Sequence, residues 1–412
     1  MTGEETLQLI RLFVAVLGVT AILAVLARRF ALPWSVALFV VGLAVGSFAG
    51  APRFDVTPQL VLVVLLPGLI FEAAYKIDAR VLRPSVVGVA LLAGPGVIVV
   101  AVGVAAVLAV AVGIPPQTGF VVGAIVSATD PAAVIASFKR LRAPRRLATY
   151  VEAESLLNDG TGIVIFTIAV GAAVHPIAIP EAILSFVTIV VVSALIGAGA
   201  GAVASWLIVR VDDVLVQLTL SLVLAYGTYL AADAIGQSGI IAAAAAGLVL
   251  GNYGHRLGLT ERTVAALDVV WEFLAFLLTA VVFLVVGVTI RLPDLAGDLA
   301  AIAWAVAAVV AIRAALVYGT IGALNRITER RLPRVPRAWQ HVIFWSGLRG
   351  AVAVALALSL PIEFPSRSLI QSIVYGVVLF TLVVQATTAD ALMHRLGLRD
   401  RGPDEPVTAA TA

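Results

Sequence analysis

The chain has 412 residues, of which 61% are hydrophobic and only 12% are charged, and its mean hydropathy is +1.09. Soluble domains are about 45–50% apolar and about 25% charged, so this composition excludes an ordinary soluble protein. The net charge of +3 arises from basic residues in short loops without an aromatic stacking surface, which excludes nucleic-acid binding. The sequence has no cysteine and no phosphate-binding loop of the nucleotide-hydrolysing type, so thiolate metal sites and a nucleotide-driven motor are excluded, and no cofactor is expected.

The apolar residues form continuous runs of about 20, the length that an α-helix needs to cross a bilayer. The first run has no basic start and no clear cleavage site, so we interpret it as a retained helix rather than a signal peptide. The sequence therefore predicts an all-α polytopic membrane protein with about 13 transmembrane helices. The predicted spans are 7–27, 33–50, 60–75, 85–111, 118–137, 147–173, 182–209, 214–232, 238–252, 267–290, 299–324, 340–360 and 368–393.

Lysine and arginine are distributed unevenly between the two sides of the predicted membrane. One side carries 21 of the 27 basic residues in its loops and tail, whereas the opposite side carries four. Because cytoplasmic loops are enriched in lysine and arginine, the richer side is predicted to be cytoplasmic. We therefore expect a multi-pass protein of the plasma or inner membrane, with the amino terminus outside and the carboxyl terminus in the cytoplasm.

The fifth predicted span is interrupted by the sequence SATDP at residues 127–131. Pro131 has no backbone N–H, and its ring clashes with the carbonyl four residues earlier, so the helix is expected to break here. Carbonyls without helical partners are not tolerated in lipid, but they can bind a cation where they line a cavity. Asp130 adds a carboxylate at the break, next to the positive end of the helix that follows. We therefore favour a cation site over a simple proline kink with a buried aspartate.

The sixth predicted span carries Glu154, Ser155, Asn158 and Asp159. At about 100° per residue, all four side chains fall within about 140° on one face of the helix. Carboxylate, amide and hydroxyl oxygens are the ligands that a hard cation prefers. This face is predicted to contribute to the cation site, with a polar contact between two helices as the alternative interpretation.

The twelfth predicted span contains a second candidate interruption, where Gly347 and Gly350 flank Arg349. Interrupted helices at similar places in the two halves of a transporter mark a substrate site near the membrane midplane. The fifth and twelfth spans are therefore expected to meet at the site.

Charged residues inside the predicted spans are few, and such residues usually have a function. Arg313 stays protonated and needs an anion, and we expect a buried pair with Glu154. Arg349 could pair with Glu154 or with Glu72, and charge balance alone does not decide between these partners.

Asp130 and Asp159 are then the two carboxylates without an arginine. Neighbouring carboxylates raise each other's proton affinity, so a proton and a metal ion would compete for the same oxygens near neutral pH. Such competition is sufficient for antiport, because alternating access of either loaded form carries one ion in each direction.

At these motifs the sequence resembles the NhaP-type sodium/proton antiporters, the branch of the cation/proton antiporters that includes the eukaryotic sodium/hydrogen exchangers. The resemblance covers nearly the whole chain and is carried by IFEAAY, SATDPAAVIASF, ESLLNDGTGIVIF and WSGLRGAVAVALALSLP. It implies two inverted repeats, a homodimer, and an elevator-like movement of a core against a dimerisation scaffold. The core is expected at about 85–173 and 299–393, and the scaffold at about 7–75 and 182–290.

The resemblance also implies roles for single residues. Asp159 matches the essential ion-binding acid, and Asp130 is expected where the two unwound helices cross. The Thr129 carbonyl and Ser155 are implied as further sodium ligands, and Glu72 matches an acidic position of the family.

The same resemblance implies that Glu154 is the partner of Arg313. Asn158 occupies the place where electrogenic relatives carry a second aspartate. Because an amide does not titrate, the implied exchange is one sodium, or lithium, for one proton, without net charge transfer. Two alternatives remain at this point: a potassium/proton antiporter, and an uncoupled cation channel or uniporter that uses the same oxygens.

Overall fold

The computed structural model describes residues 14, 17–23, 25–26, 33–48, 57–174, 178–327 and 333–398. All regular elements in these residues are helical, because in lipid a helix satisfies every backbone hydrogen bond within one segment. Helices of eight or more residues are numbered α1 to α16. They are α1 Trp34–Ser47, α2 Leu66–Lys76, α3 Val86–Ala93, α4 Pro95–Val112, α5 Pro116–Ile125, α6 Ala132–Leu141, α7 Arg145–Val174, α8 Ile179–Ile208, α9 Val214–Asp233, α10 Gly239–Val249, α11 Glu261–Thr289, α12 Leu299–Ile327, α13 Arg337–Trp345, α14 Ala351–Ser359, α15 Arg367–Phe380 and α16 Ala386–Arg395.

Seven helical segments in the described part of the chain are long and apolar enough to cross a membrane, and two shorter helices, α1 and Gly239–Gly254, are also apolar. The protein is therefore an all-α polytopic membrane protein, as predicted. The predicted first span, 7–27, falls largely outside the described residues, although 17–23 are helical. The seven segments are Ala79–Val112, Arg145–Ala173, Ile179–Ile208, Val214–Asp233, Glu261–Thr289, Leu292–Ile327 and Arg367–Arg395.

The predicted spans 118–137 and 340–360 are not continuous helices. The first is divided into α5 and α6, and Pro131 stands immediately before the first residue of α6. The second is divided into α13 and α14, with Gly350 immediately before α14. Local sequence explains both breaks, since proline cannot continue a helix and glycine does so only at a cost.

The helices pack into two groups. In the first group, α1 packs along α11, and α10 packs against α2, α8 and α9. In the second group, α5 packs on α4 and α7, while α12 packs on α4 and α15. The groups contact each other mainly through α7 and α14, which lie against α2, α10 and α11. Both interrupted helix pairs belong to the second group, and α14 and α6 reach the boundary between the groups.

Candidate ion-binding site

The two interruptions cross and are joined by hydrogen bonds to backbone carbonyls. The N–H of Asp130 donates to the carbonyl of Leu348 over 2.8 Å. The guanidinium of Arg349 donates through Nε to the carbonyl of Val126 at 2.7 Å and through Nη1 to the carbonyl of Gly347. The breaks leave the carbonyls of Val126, Gly347 and Leu348 without helical partners. These carbonyls accept hydrogen bonds from Arg349 or from the backbone of Asp130 instead.

Glycine is required at position 350 because Asp130 lies against its backbone. A Cβ atom built on Gly350 would stand 2.2 Å from Oδ2 of Asp130, closer than any non-bonded contact allows. The crossing of the two interrupted segments therefore depends on a residue without a side chain at this point.

The carboxylate of Asp130 lies at the amino ends of two helices. Its Oδ1 accepts a hydrogen bond from the N–H of Ala132, the first residue of α6, at 3.1 Å. The backbone of Gly350, immediately before the first residue of α14, packs against the same carboxylate. Both helix dipoles therefore favour negative charge at this point, and the helix after Pro131 does so as expected from the sequence.

Side chains of α7 bind the non-helical segment at Thr129. The Oδ1 of Asn158 accepts from the Thr129 N–H at 3.0 Å, and its Nδ2 donates to the Thr129 hydroxyl at 2.7 Å. The hydroxyl of Ser155 donates to the Thr129 carbonyl. Both polar ends of Asn158 are thus used to fix the backbone beside Asp130.

Arg313 on α12 and Glu154 on α7 form a buried two-point ion pair. Nη1 of Arg313 bonds Oε1 of Glu154, and Nη2 donates to Oε2 at 2.8 Å. Nη2 also donates to the carbonyl of Ile343 at 3.0 Å, near the end of α13. The pair predicted from charge balance is therefore formed, and it ties α7 and α12 to the second interrupted helix pair.

The prediction that Arg349 belongs to an ion pair with Glu154 or Glu72 is wrong. Arg349 is 1% exposed, and within the described residues it forms no salt bridge. Its backbone N–H donates to the hydroxyl of Thr381 at 3.0 Å. Arg349 does not pair with a carboxylate because the crossing places the carbonyls of Val126 and Gly347 nearer to its guanidinium than either carboxylate.

Asp130, Ser155 and Asp159 line one cavity of about 340 Å³. Asp159 is 7% exposed, and its Oδ1 is buried without a hydrogen-bond partner in the described part of the chain. An unpartnered carboxylate oxygen is costly to bury unless a cation or a proton occupies it at some stage. The cavity therefore offers two carboxylates and a hydroxyl to a hard cation.

The predicted site residues do not all face this cavity. Thr129, Asn158 and Glu154 lie behind its wall, so the polar face predicted for the sixth span is divided between the cavity and the interior of the second group. Glu72 lines the opposite wall on α2, where it forms an ion pair of 2.5 Å with Lys76.

Two features of the site were not predicted from the sequence. Glu152 lines the cavity on the same helix as Asp159. The signal was present in the sequence, since positions 152 and 159 are separated by two helical turns and fall on one stripe of α7. The Leu348 carbonyl was also missed, because a backbone contact between distant segments leaves no mark in side-chain pattern.

Comparisons with known proteins agree with this architecture. The family model "Sodium/hydrogen exchanger, transmembrane" matches residues 14–395. The chain is 38% identical over 405 residues to the Na(+)/H(+) antiporter ApNhaP of Aphanothece halophytica, covering 96% of this chain and 77% of that protein. It is 37% identical over 393 residues to the low-affinity Na(+)/H(+) antiporter NhaS1 of Synechocystis, covering 94% of this chain and 74% of that protein.

A solved structure shares the fold. The sodium proton antiporter MjNhaP1 from Methanocaldococcus jannaschii at pH 8 superposes with a TM-score of 0.77 and 21% sequence identity, covering 95% of this chain and 99% of that one. The family match extends over both interrupted helix pairs and over α7 with Asp159. The chain therefore belongs to the sodium/hydrogen exchanger family of membrane transport proteins and is not an enzyme.

Proposed function

We propose that this protein exchanges sodium for protons across the membrane, and that the two ions compete for the carboxylates of Asp130 and Asp159. The observation that carries the proposal is the placement of both carboxylates on one cavity, beside the crossing of two interrupted helices. The names of the relatives, which describe Na(+)/H(+) antiporters, support the same exchange.

The proposed chemistry follows from the ligand set. With both aspartates ionised, a sodium ion binds oxygens of Asp130, Asp159 and the Ser155 hydroxyl, and the Thr129 carbonyl joins them when Ser155 turns away from it. A proton that adds to a carboxylate oxygen removes the negative charge that holds the sodium ion. The site is then occupied by one kind of ion at a time, which is the requirement for coupled exchange.

We further propose a ratio of one sodium to one proton without net charge transfer. Asn158 carries no titratable proton and is committed to Thr129. Arg313 is committed to Glu154 and stays protonated throughout the cycle. Asp130 and Asp159 are therefore the groups that alternately bind sodium and a proton in the proposed cycle.

We propose that the second group of helices moves as a core against the first group, which forms the scaffold, with the division near 85–173 and 299–393 against 7–75 and 182–290. The cavity supports this division because its walls come from both groups, with Asp159 on one side and Glu72 on the other. A core that slides along this boundary carries Asp130 and Asp159 with it. Lipid surrounds the assembly, and the scaffold is proposed to form a homodimer.

The orientation of the cavity is also a proposal. Lys139 and Glu272 line the cavity and are each 66% exposed, so they mark its mouth. Lys139 lies in the last turn of α6, within the basic segment 138–146 that the distribution of lysine and arginine assigns to the cytoplasm. The cavity is therefore proposed to open to the cytoplasm of a plasma or inner membrane.

Purified protein in liposomes that contain a pH-sensitive dye tests the proposal. Addition of sodium outside should make the lumen more alkaline as protons leave, at a rate that an imposed membrane potential does not change. Lithium and potassium are added in turn, and a response to potassium alone would identify a potassium/proton antiporter. Voltage-driven cation flux without a change in lumenal pH would contradict coupled exchange and identify a channel.

A further inference from the structure

Glu152 is a further carboxylate on the cavity, and it has no role in the proposed exchange. It lies two helical turns before Asp159 on α7, about 10 Å along the helix axis, so both side chains fall on the same stripe. Ser155 and Leu156 fill the stripe between them, and all four residues line the cavity. The stripe runs from the mouth of the cavity to its deepest acid.

The other charged side chains at the mouth are already paired. Glu72 is bonded to Lys76 at 2.5 Å, and Glu272 lies 3.7 Å from Lys139. Glu152 forms no salt bridge and no hydrogen bond through its side chain in the described part of the chain, although it lies within electrostatic range of Glu72 and of both lysines. Five acids line the cavity in the described part of the chain. Two of them, Asp130 and Asp159, form the proposed binding pair, and two others are paired with lysines. The remaining acid, Glu152, contacts no basic side chain of the described residues.

We propose that Glu152 is a positioning residue that gathers the cation at the cytoplasmic mouth and directs it along α7 to Asp159; this inference rests on the proposed sodium/proton exchange. A half-buried carboxylate in a narrow cavity concentrates cations, because the low-dielectric walls focus its field. Glu152 acts before binding and does not replace a ligand of the bound ion. It therefore sets the sodium concentration at which the site fills from the cytoplasm, and leaves the rate of the loaded site unchanged.

The test compares Glu152→Gln with the wild type in inside-out membrane vesicles, where sodium is supplied from the cytoplasmic face. The KM for sodium should rise about three- to fivefold, the effect of one charge at about 10 Å in a partly hydrated cavity. The kcat should stay within experimental error of the wild type. The difference in KM should shrink as an inert salt is added, since the ions of the salt screen the charge of Glu152.

Two control variants isolate the charge of Glu152. Glu152→Asp keeps a carboxylate on the same stripe and should keep the wild-type KM. Glu261→Gln removes a carboxylate from the first turn of α11, outside the cavity, and should change nothing. The melting temperature of each purified variant shows whether the protein is folded.

The possible results separate this inference from the proposed function. If the wild type shows no sodium-dependent proton movement, the proposed exchange itself is contradicted. If the wild type exchanges and Glu152→Gln retains its KM, or loses kcat alone, the positioning role is wrong. An equal rise in KM for Glu152→Gln and Glu152→Asp would also reject it, because charge would then not be the cause.

Discussion

The backbone N–H of Asp130 donates to the carbonyl of Leu348, and this contact links the main chains of the two interrupted helix pairs at the candidate site. It fixes the carboxylate of Asp130 between the amino ends of α6 and α14. The position of this acid is therefore set by the main chain of both interruptions, and a change in either backbone should move it.

Gly350→Ala should abolish exchange. The new methyl group would stand 2.2 Å from Oδ2 of Asp130 and force the two interruptions apart. Gly319→Ala is the matched control, because a Cβ at this position of α12 meets nothing within 4 Å. Sodium-dependent proton flux in liposomes measures both variants. Wild-type flux in Gly350→Ala would show that the close approach of the two interrupted segments is not needed.

Asp159→Asn should reduce exchange to the level of protein-free liposomes while the protein stays folded. The amide keeps the shape of the side chain, and a neutral group costs less to bury than an unpartnered carboxylate. Sodium should raise the melting temperature of the wild type, because an ion that binds only the folded state stabilises it, and this rise should be lost in the variant. Asp233→Asn, an exposed acid at the end of α9, should retain both properties. Residual exchange near the wild-type rate would remove Asp159 from the site.

Arg313→Ala should lower the free energy of unfolding by about 3–5 kcal/mol, because it leaves Glu154 buried without its partner. The double variant Arg313→Met with Glu154→Leu should recover a large part of the loss, since it removes both charges together. Arg326→Ala, at the exposed end of the same helix, should have little effect. Unfolding in detergent, followed by tryptophan fluorescence, measures all three. Equal stability of Arg313→Ala and the wild type would contradict an energetic role for the pair.

A reversible cross-link between α6 and α11 should stop transport if the core moves against the scaffold. Nζ of Lys139 lies 3.7 Å from Oε1 of Glu272, and the sequence contains no cysteine, so Lys139→Cys with Glu272→Cys introduces the only two thiols. A bifunctional thiol reagent with a reducible spacer, which replaces the length of the two original side chains, should block exchange, and reduction should restore it. Arg140→Cys with Asp390→Cys places thiols at two contacting residues of the core and should leave exchange intact after the same treatment. Full activity of the cross-linked Lys139 and Glu272 variant would contradict the sliding movement.

Local sequence was enough to predict the interrupted helices. Pro131 removes a donor and blocks the preceding turn, so its effect depends on the residue itself and not on the fold. The pairing of Arg313 with Glu154 was also predictable, because a permanently charged group inside a bilayer requires an anion and few were available.

The partners of Arg349 and Asn158 could not be predicted in the same way. Arg349 bonds neutral carbonyls at a crossing of two distant segments, and charge balance does not register such partners. Asn158 shares a helical face with Asp159, but a projection down the helix axis does not show whether a side chain turns to the cavity or to the neighbouring strand at Thr129. Both outcomes depend on tertiary packing.

The bond between Arg349 and Val126 spans 223 residues of sequence, which has a consequence for biosynthesis. A nascent chain that ends before residue 346 contains Asp130 and Asp159 but lacks the segment that holds Asp130 in place. The candidate site therefore cannot assemble until residues 346–350 have been made and inserted beside the first interruption.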